Sequence, residues 1–256
     1  MTMRLIILGS GTGTPLSDRG SPCLLLMCGG EYSLLDIGPG SLRQLTRIGV
    51  PHERVSRIFI THFHPDHTAD LVHFLFATRN PDVLARRAPF SFIGARGLRE
   101  FVRQIQRPYG RWLQMPPGLM HIEELDDREQ DGRRFGAFSV RSQPLDHTPQ
   151  SLAYRIQDGE GRSFVYSGDT GYQDELCGFA DRVDLLILEC SFPEGKEGRG
   201  HLTPARAGRV ATMAKAKRLL LLHFFPEVLA TDIQGESRKT YSGELTLGQD
   251  FMHVQI

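Results

Sequence analysis

The stretch Thr61-His62-Phe63-His64-Pro65-Asp66-His67 follows directly on Arg57-Ile58-Phe59-Ile60, a run that reads as a short buried strand. It puts three imidazoles and one carboxylate within six residues of a chain that holds only ten histidines. A polar loop that gathers them by chance is the bland explanation, and the spacing makes it a poor one. Imidazole nitrogen suits zinc, and carboxylate oxygen suits zinc or manganese. On a loop at a strand end, such a run can aim alternate side chains at two neighbouring metal ions.

Three more residues of metal-binding type stand at strand ends. His147 lies in Leu145-Asp146-His147-Thr148 before a strand, and Asp169 in Tyr166-Ser167-Gly168-Asp169-Thr170 after one. His223 closes Leu219-Leu220-Leu221-Leu222-His223. Singly, each reads as a capping or packing residue; strand-to-loop junctions are also where functional side chains are carried on a rigid scaffold.

Taken together and in this order, these residues resemble the HxHxDH signature and downstream ligands of the metallo-β-lactamase superfamily, and the resemblance covers nearly the whole chain. It implies an α/β (α+β) fold, a four-layer αββα sandwich, formed by residues 1–256 as one domain. It implies two divalent metal ions, zinc or manganese: His62, His64 and His147 on one, Asp66, His67 and His223 on the other, Asp169 bridging them. Asp66 would also orient the hydroxide that such a metal pair generates, while the pair clamps the attacking and leaving oxygens. Asp36, in Leu34-Leu35-Asp36-Ile37-Gly38, reads equally as a turn aspartate or as the partner of a ligand histidine.

Within that superfamily the chain is similar to ribonuclease Z and its smaller phosphodiesterase relatives. Leu8-Gly9-Ser10-Gly11-Thr12-Gly13-Thr14-Pro15 resembles the group's opening loop, Leu188-Glu189-Cys190-Ser191 its HEAT-like segment, and Gly200-His201-Leu202-Thr203 its HST segment. The resemblance implies that His201 donates a proton to the leaving oxygen and that Glu189 supports it. Alone, a histidine before a helix is more often a cap or a surface residue. The glycines at 9, 11 and 13 are not a dinucleotide loop: the spacing is G-x-G-x-G, Pro15 follows, and the next element reads as a strand.

The chain also departs from ribonuclease Z. Only 21 residues separate His147 from Asp169, filled by a hairpin, where bacterial ribonuclease Z carries its tRNA-grasping arm. Asp36-Ile37-Gly38-Pro39-Gly40 differs from the DCGEGT-like segment, and Phe224-Phe225-Pro226 replaces a serine-arginine pair. These differences favour a small or cyclic phosphodiester as substrate, as in the cyclic phosphodiesterase of phosphonate breakdown, with an RNA 3′ end as a further partner. The alternatives are tRNA 3′-processing itself, hydrolysis of a carboxylic ester, thioester or lactam, and a non-enzymatic relative that kept only the fold. A homodimer is compatible with the resemblance.

Composition sets the bounds. With 40% hydrophobic and 23% charged residues, the chain of 256 residues is globular and has a sizeable core. Basic and acidic residues balance at 30 each, so an RNA contact would need a local basic patch. Arg96, Arg99, Arg103, Arg107 and Arg111 recur at helical spacing and form a candidate patch, although a solvated helix face explains them more simply. Cys23, Cys28, Cys177 and Cys190 make no CxxC pair, which fits reduced, partly buried thiols in a cytoplasmic protein. No apolar run has the length of a membrane span, and the apolar start to Leu8 has no cleavage site of a signal peptide.

Strands are expected at Arg4–Leu8, Cys23–Cys28, Glu31–Asp36, Arg57–Ile60, Pro89–Ile93, Phe138–Arg141, Leu152–Ile156, Ser163–Tyr166, Val183–Leu188 and Leu219–Leu222, with an edge strand after Leu245. Helices are expected near 41–48, 68–78, 97–106 and 204–216, and residues 107–135, rich in Pro, Gly and charge, read mostly as loop.

Overall fold

The computed structural model describes residues 3–196 and 200–256; Met1 and Thr2, which begin the apolar start, lie outside them. The first half runs β1 (Arg4–Gly9), β2 (Cys23–Cys28), β3 (Glu31–Leu35), α1 (Ser41–Arg47), β4 (Val55–Phe59), α2 (Pro65–Thr68), α3 (Asp70–Thr78), α4 (Pro81–Arg86), β5 (Phe90–Ala95), α5 (Leu98–Gln106) and β6 (Met120–Leu125). The second half runs β7 (Asp131–Phe135), β8 (Phe138–Pro144), β9 (Leu152–Asp158), β10 (Ser163–Tyr166), α6 (Asp174–Phe179), β11 (Leu185–Glu189), α7 (Pro204–Met213), β12 (Arg218–Leu222), α8 (Pro226–Leu229), α9 (Ile233–Arg238), β13 (Glu244–Leu247) and β14 (His253–Gln255).

Two mixed sheets result, ordered β14-β1-β2-β3-β4-β5-β6 and β13-β12-β11-β10-β9-β8-β7. Alternation along the strands explains the layering. In β12, Leu220 and Leu222 pack with Leu5, Ile7 and Phe59 between the sheets. Leu219 and Leu221 point the other way, onto Ala207 and Val210 of α7. Likewise Leu35 of β3 faces the second sheet, while Leu34 meets Leu45 of α1 and Phe74 of α3. Side chains of successive strand residues leave opposite faces, so apolar runs such as Leu219–Leu222 suit a sheet covered on both sides. Helix, sheet, sheet, helix is the αββα sandwich expected from the sequence.

The region 107–135, read mostly as loop, also holds the two strands β6 and β7. β6 pairs in parallel with β5, and β7 forms an antiparallel pair with β8. Both are outer strands of their sheets, and their charged residues (Glu123, Glu124, Arg133, Arg134) stand where an edge tolerates them. Polar edge strands carry little of the apolar signal by which strands are recognised. The tail supplies two edge strands rather than one: β13 beside β12 and β14 beside β1, in different sheets. The short helices α4, α6, α8 and α9 have at most six residues, too few for a helical period to stand out.

The arginine stripe is largely engaged within the fold. Arg96 pairs with Asp126, Arg99 donates to the Ile122 carbonyl, and Arg103 pairs with Glu100 at 2.6 Å. Arg111 lies over the Trp112 ring at 5.0 Å. All four cysteines are buried thiols. No helix among the described residues is long and apolar enough to cross a membrane.

Candidate metal centre

The site gathers where the parallel strands end. Asp36 follows β3, Thr61 to His67 follow β4, Asp169 follows β10, Glu189 ends β11 and His223 follows β12; His147 comes from the β8–β9 connection. Cross-links hold these ends together: Leu152 N–H donates to the Thr61 carbonyl at 2.9 Å, Ile37 N–H to the His67 carbonyl at 2.9 Å, and His223 N–H to the Ser10 carbonyl at 2.9 Å. Asp36 and His223 both sit at positive φ, 60° and 58°, uncommon for non-glycine residues and a form of strain that recurs at functional sites. Gly38 is required for close approach, since a Cβ there would lie 2.0 Å from the Asp66 carbonyl oxygen.

The seven residues brought out by the sequence form two adjoining groups. Imidazoles of His62, His64 and His147 converge with one oxygen of Asp169: His62 Nε2 is 2.9 Å and His147 Nε2 3.3 Å from His64 Nδ1, and Asp169 Oδ2 is 3.8 Å from His62 and 3.7 Å from His147. The other oxygen, Asp169 Oδ1, lies 3.2 Å from both His67 Nε2 and His223 Nε2, with Asp66 Oδ2 at 3.8 and 3.5 Å from the same nitrogens. Ligands on a tetrahedral zinc with bonds of about 2.0–2.1 Å stand roughly 3.3–3.4 Å apart, so both groups have the right span. His67 Nε2, His223 Nε2 and Asp169 Oδ1 are buried without a hydrogen-bond partner. Three orphaned donor atoms aimed at one point are what a cation would satisfy.

The surrounding hydrogen bonds decide which ring nitrogen is free. His67 Nδ1 donates to Asp36 Oδ2 at 2.8 Å, and His147 Nδ1 to the Gly200 carbonyl at 2.9 Å. Thr61 Oγ1 has one hydrogen, which it gives to the acceptor-only carboxylate of Asp36 at 2.9 Å; it therefore accepts from His62 Nδ1 at 3.0 Å. Ser191 Oγ likewise donates to Glu189 and accepts from His223 Nδ1 at 2.9 Å. Four imidazoles thus turn Nε2 toward the centre, while His64 turns Nδ1. Asp36, fully buried, is the holder of His67 rather than a mere turn residue, and also accepts from Tyr166 Oη at 2.9 Å. Thr61, Ser191 and Tyr166 are functional neighbours that the sequence did not single out. No spacing rule announces them, because each acts across strands.

The electrostatics favour positive charge here. Burial works against a charged His67, yet its pKa is raised well above the ordinary imidazole value because the Asp169 and Asp36 carboxylates flank it. Burial opposes ionisation of Asp169, but His223 and His67 hold it well below the usual carboxylate range. Burial, and then the neighbouring imidazoles, push the His62 pKa well down, so its ring is neutral and available.

Beside this centre, Glu189 is buried and accepts four hydrogen bonds: from Thr170 N–H at 2.8 Å, His201 Nδ1 at 2.8 Å, Leu202 N–H at 3.2 Å and Ser191 Oγ. Burial opposes protonation of His201, but the bond to Glu189 and its charge raise the pKa. A ring nitrogen of His201 lies within 4.8 Å of donor atoms on Asp169 and His223. Distance alone therefore admits it as a ligand; its anchoring carboxylate and raised pKa suit a proton donor.

Comparison with known proteins follows the same lines. The family described as the β-lactamase superfamily domain matches residues 32–224. Ribonuclease Z of Mycobacterium marinum is 27% identical, covering 99% of each chain. The probable metallo-hydrolase YhfI of Bacillus subtilis is 27% identical over 96% of this chain and 97% of its own. The crystal structure of YhfI, described as a metallo-β-lactamase fold protein, matches in fold with a TM-score of 0.86 over the whole of both chains, at 24% identity. That of the short form of human tRNase Z matches with a TM-score of 0.79 and 26% identity over 98% of each chain.

Proposed function

The protein belongs to the β-lactamase superfamily, and on that premise we propose that it is a binuclear metal-dependent hydrolase of phosphodiesters, acting on a small or cyclic diester or on an RNA end. His62, His64, His147 and Asp169 would hold one ion, and Asp66, His67, His223 and Asp169 the other. The donor set of imidazole and carboxylate suits zinc, with manganese next. When bound, the ion pair supplies an activated water at neutral pH and charge stabilisation for the phosphoryl oxygens.

The observation that carries the phosphorus reading is the His201–Glu189 pair, 2.8 Å apart at the edge of the centre. A carboxylate behind an imidazole holds one tautomer and stabilises its charged form, so the outer nitrogen can protonate a departing alkoxide. Burial opposes ionisation of Asp66, but His223 holds its carboxyl below the ordinary carboxylate value, and as an anion it would orient the attacking water. Asp36, through His67, and Ser191, through His223, fix the ligand rings. The test is a hydrolysis screen of the zinc- or manganese-loaded protein on bis(p-nitrophenyl) phosphate, cyclic nucleotides, a precursor tRNA and a lactam; turnover of the lactam alone would overturn the reading.

About two transition-metal ions per chain are expected by elemental analysis of protein purified without chelator, since seven donors in two groups suit a two-metal site. Protein that holds no such metal, and gains neither metal nor thermal stability on adding zinc or manganese, would contradict the site.

Slow processing of precursor tRNA is expected. The β9–β10 hairpin fills the interval between His147 and Asp169 without an extension, and three of the five stripe arginines are tied to neighbouring groups. Efficient cleavage of a precursor at physiological salt would move the reading to tRNA maturation.

A further inference from the structure

Phe192 and Phe225 stack on one another beside the proton donor, with ring centroids 5.1 Å apart and planes 14° from parallel. Phe192 lies 5.5 Å from the His201 ring, edge to face; Phe225 lies 6.5 Å from His201 and 5.8 Å from His223. Both are half-buried. Neither belongs to the three apolar clusters that form the core.

Two half-exposed rings at the mouth of a site made of imidazoles and carboxylates gain little from core packing. Each also precedes a proline, in Ser191-Phe192-Pro193 and Phe224-Phe225-Pro226. The residue before proline is held in the extended region, and Phe225 has φ −76° and ψ 158°. Both rings are thus presented by backbone that is restricted before any ligand arrives, which lowers the ordering cost of binding.

We propose that Phe192 and Phe225 form a stacking platform for a nucleobase carried by the leaving group, so that the substrates are phosphodiesters whose departing alcohol is a nucleoside. The inference rests on the phosphodiesterase reading above and deepens it. Two independent features meet on the same group. His201 is needed only where the leaving oxygen is a poor one, an alkoxide, and a nucleoside departs through a ribose hydroxyl. The flat, uncharged surface next to His201 fits the base that such a hydroxyl carries, with the sugar spanning the distance between them. An aliphatic alcohol would give a stacked aromatic pair no flat partner. In the reaction, the water oxygen forms the new bond to phosphorus and the bond to the ribose oxygen breaks. That oxygen keeps the electron pair and takes the proton of His201, and the proton released by the water restores His201. The products are a phosphomonoester and a nucleoside.

The test is calorimetric binding of adenosine, ribose and inorganic phosphate to the metal-loaded protein, in the natural form and as Phe192→Leu and Phe225→Leu, which keep apolar bulk and remove the flat ring. Adenosine should bind more tightly than ribose. Each leucine variant should lose about five- to a hundred-fold in adenosine affinity, the usual range for one base stacked on an aromatic ring, with phosphate affinity unchanged. Trp112→Leu should change neither; Trp112 lines an apolar groove with Phe63, Phe76 and Phe101 whose lining includes neither Phe192 nor Phe225. Adenosine bound no better than ribose, adenosine affinity kept by both leucine variants, or affinity lost instead in Trp112→Leu would each overturn the platform. Equal loss of adenosine and phosphate would also overturn it, as the rings would then only shape the site. Diester hydrolysis with any of these results removes the platform and leaves the parent reading standing, whereas absence of hydrolysis on every diester removes the parent reading.

Discussion

Asp66→Ala is expected to lower turnover of every phosphodiester by about a thousand-fold or more while the protein remains folded. The Asp66 carboxylate lies 3.5 Å from His223 Nε2 and 3.8 Å from His67 Nε2, and it is the anionic member of that group not shared with the other. Removing it takes away a candidate metal donor and the group proposed to orient the attacking water. Activation of water contributes several orders of magnitude at such centres, and tighter substrate binding does not replace it. The fold should tolerate the change, since Asp66 supports its neighbours through backbone: its carbonyl is what Gly38 approaches, and Ala keeps that carbonyl. Circular dichroism should match the natural protein, and steady-state hydrolysis of bis(p-nitrophenyl) phosphate should be close to background. A folded variant with near-normal turnover would remove Asp66 from the machinery.

His201→Ala is expected to slow alkyl and nucleoside diesters by on the order of a hundred- to ten-thousand-fold, the usual worth of a positioned general acid. Activated aryl diesters should suffer far less. Negative charge builds on the departing oxygen as its bond to phosphorus breaks. An alkoxide needs a proton at that moment, whereas p-nitrophenolate leaves readily without one. The measurement is the ratio of the two losses, read with metal content on the same samples. Equal losses on both substrate types would mean that His201 shapes the site without donating a proton. Loss of metal would make it a ligand, a role that its proximity to Asp169 and His223 allows. Glu189 acts through His201 in this scheme and also anchors the Ser191 that holds His223, so its removal should follow the same substrate pattern with some loss of metal as well.

How much of this was legible in the sequence differs from element to element. The run from His62 to His67 is visible because its members are adjacent in the chain, and adjacency survives without a structure. His147, Asp169 and His223 are legible through their order and their place at strand ends, and the fold does bring them to one centre. β6 and β7 were not visible, because an edge strand half-exposed to water lacks the apolar signature.

The sequence by itself, through the superfamily resemblance its motifs carry, determined the sandwich and pointed to the seven side chains that the fold gathers. Strand periodicity places apolar residues on both faces of each sheet, and seven imidazole and carboxylate groups at strand ends are a chemical inventory that needs no coordinates. Only the tertiary structure decided how that inventory is used. It chose Nδ1 on His64 and Nε2 on the other imidazoles, and made Asp36 the holder of His67. It tied Thr61 to Asp36 and Ser191 to His223, and set Phe192 against Phe225 beside His201. The physical reason is distance along the chain. A hydrogen bond or a stacked pair between residues 25 or more positions apart depends on which strands come to lie side by side, and local spacing carries no trace of that pairing.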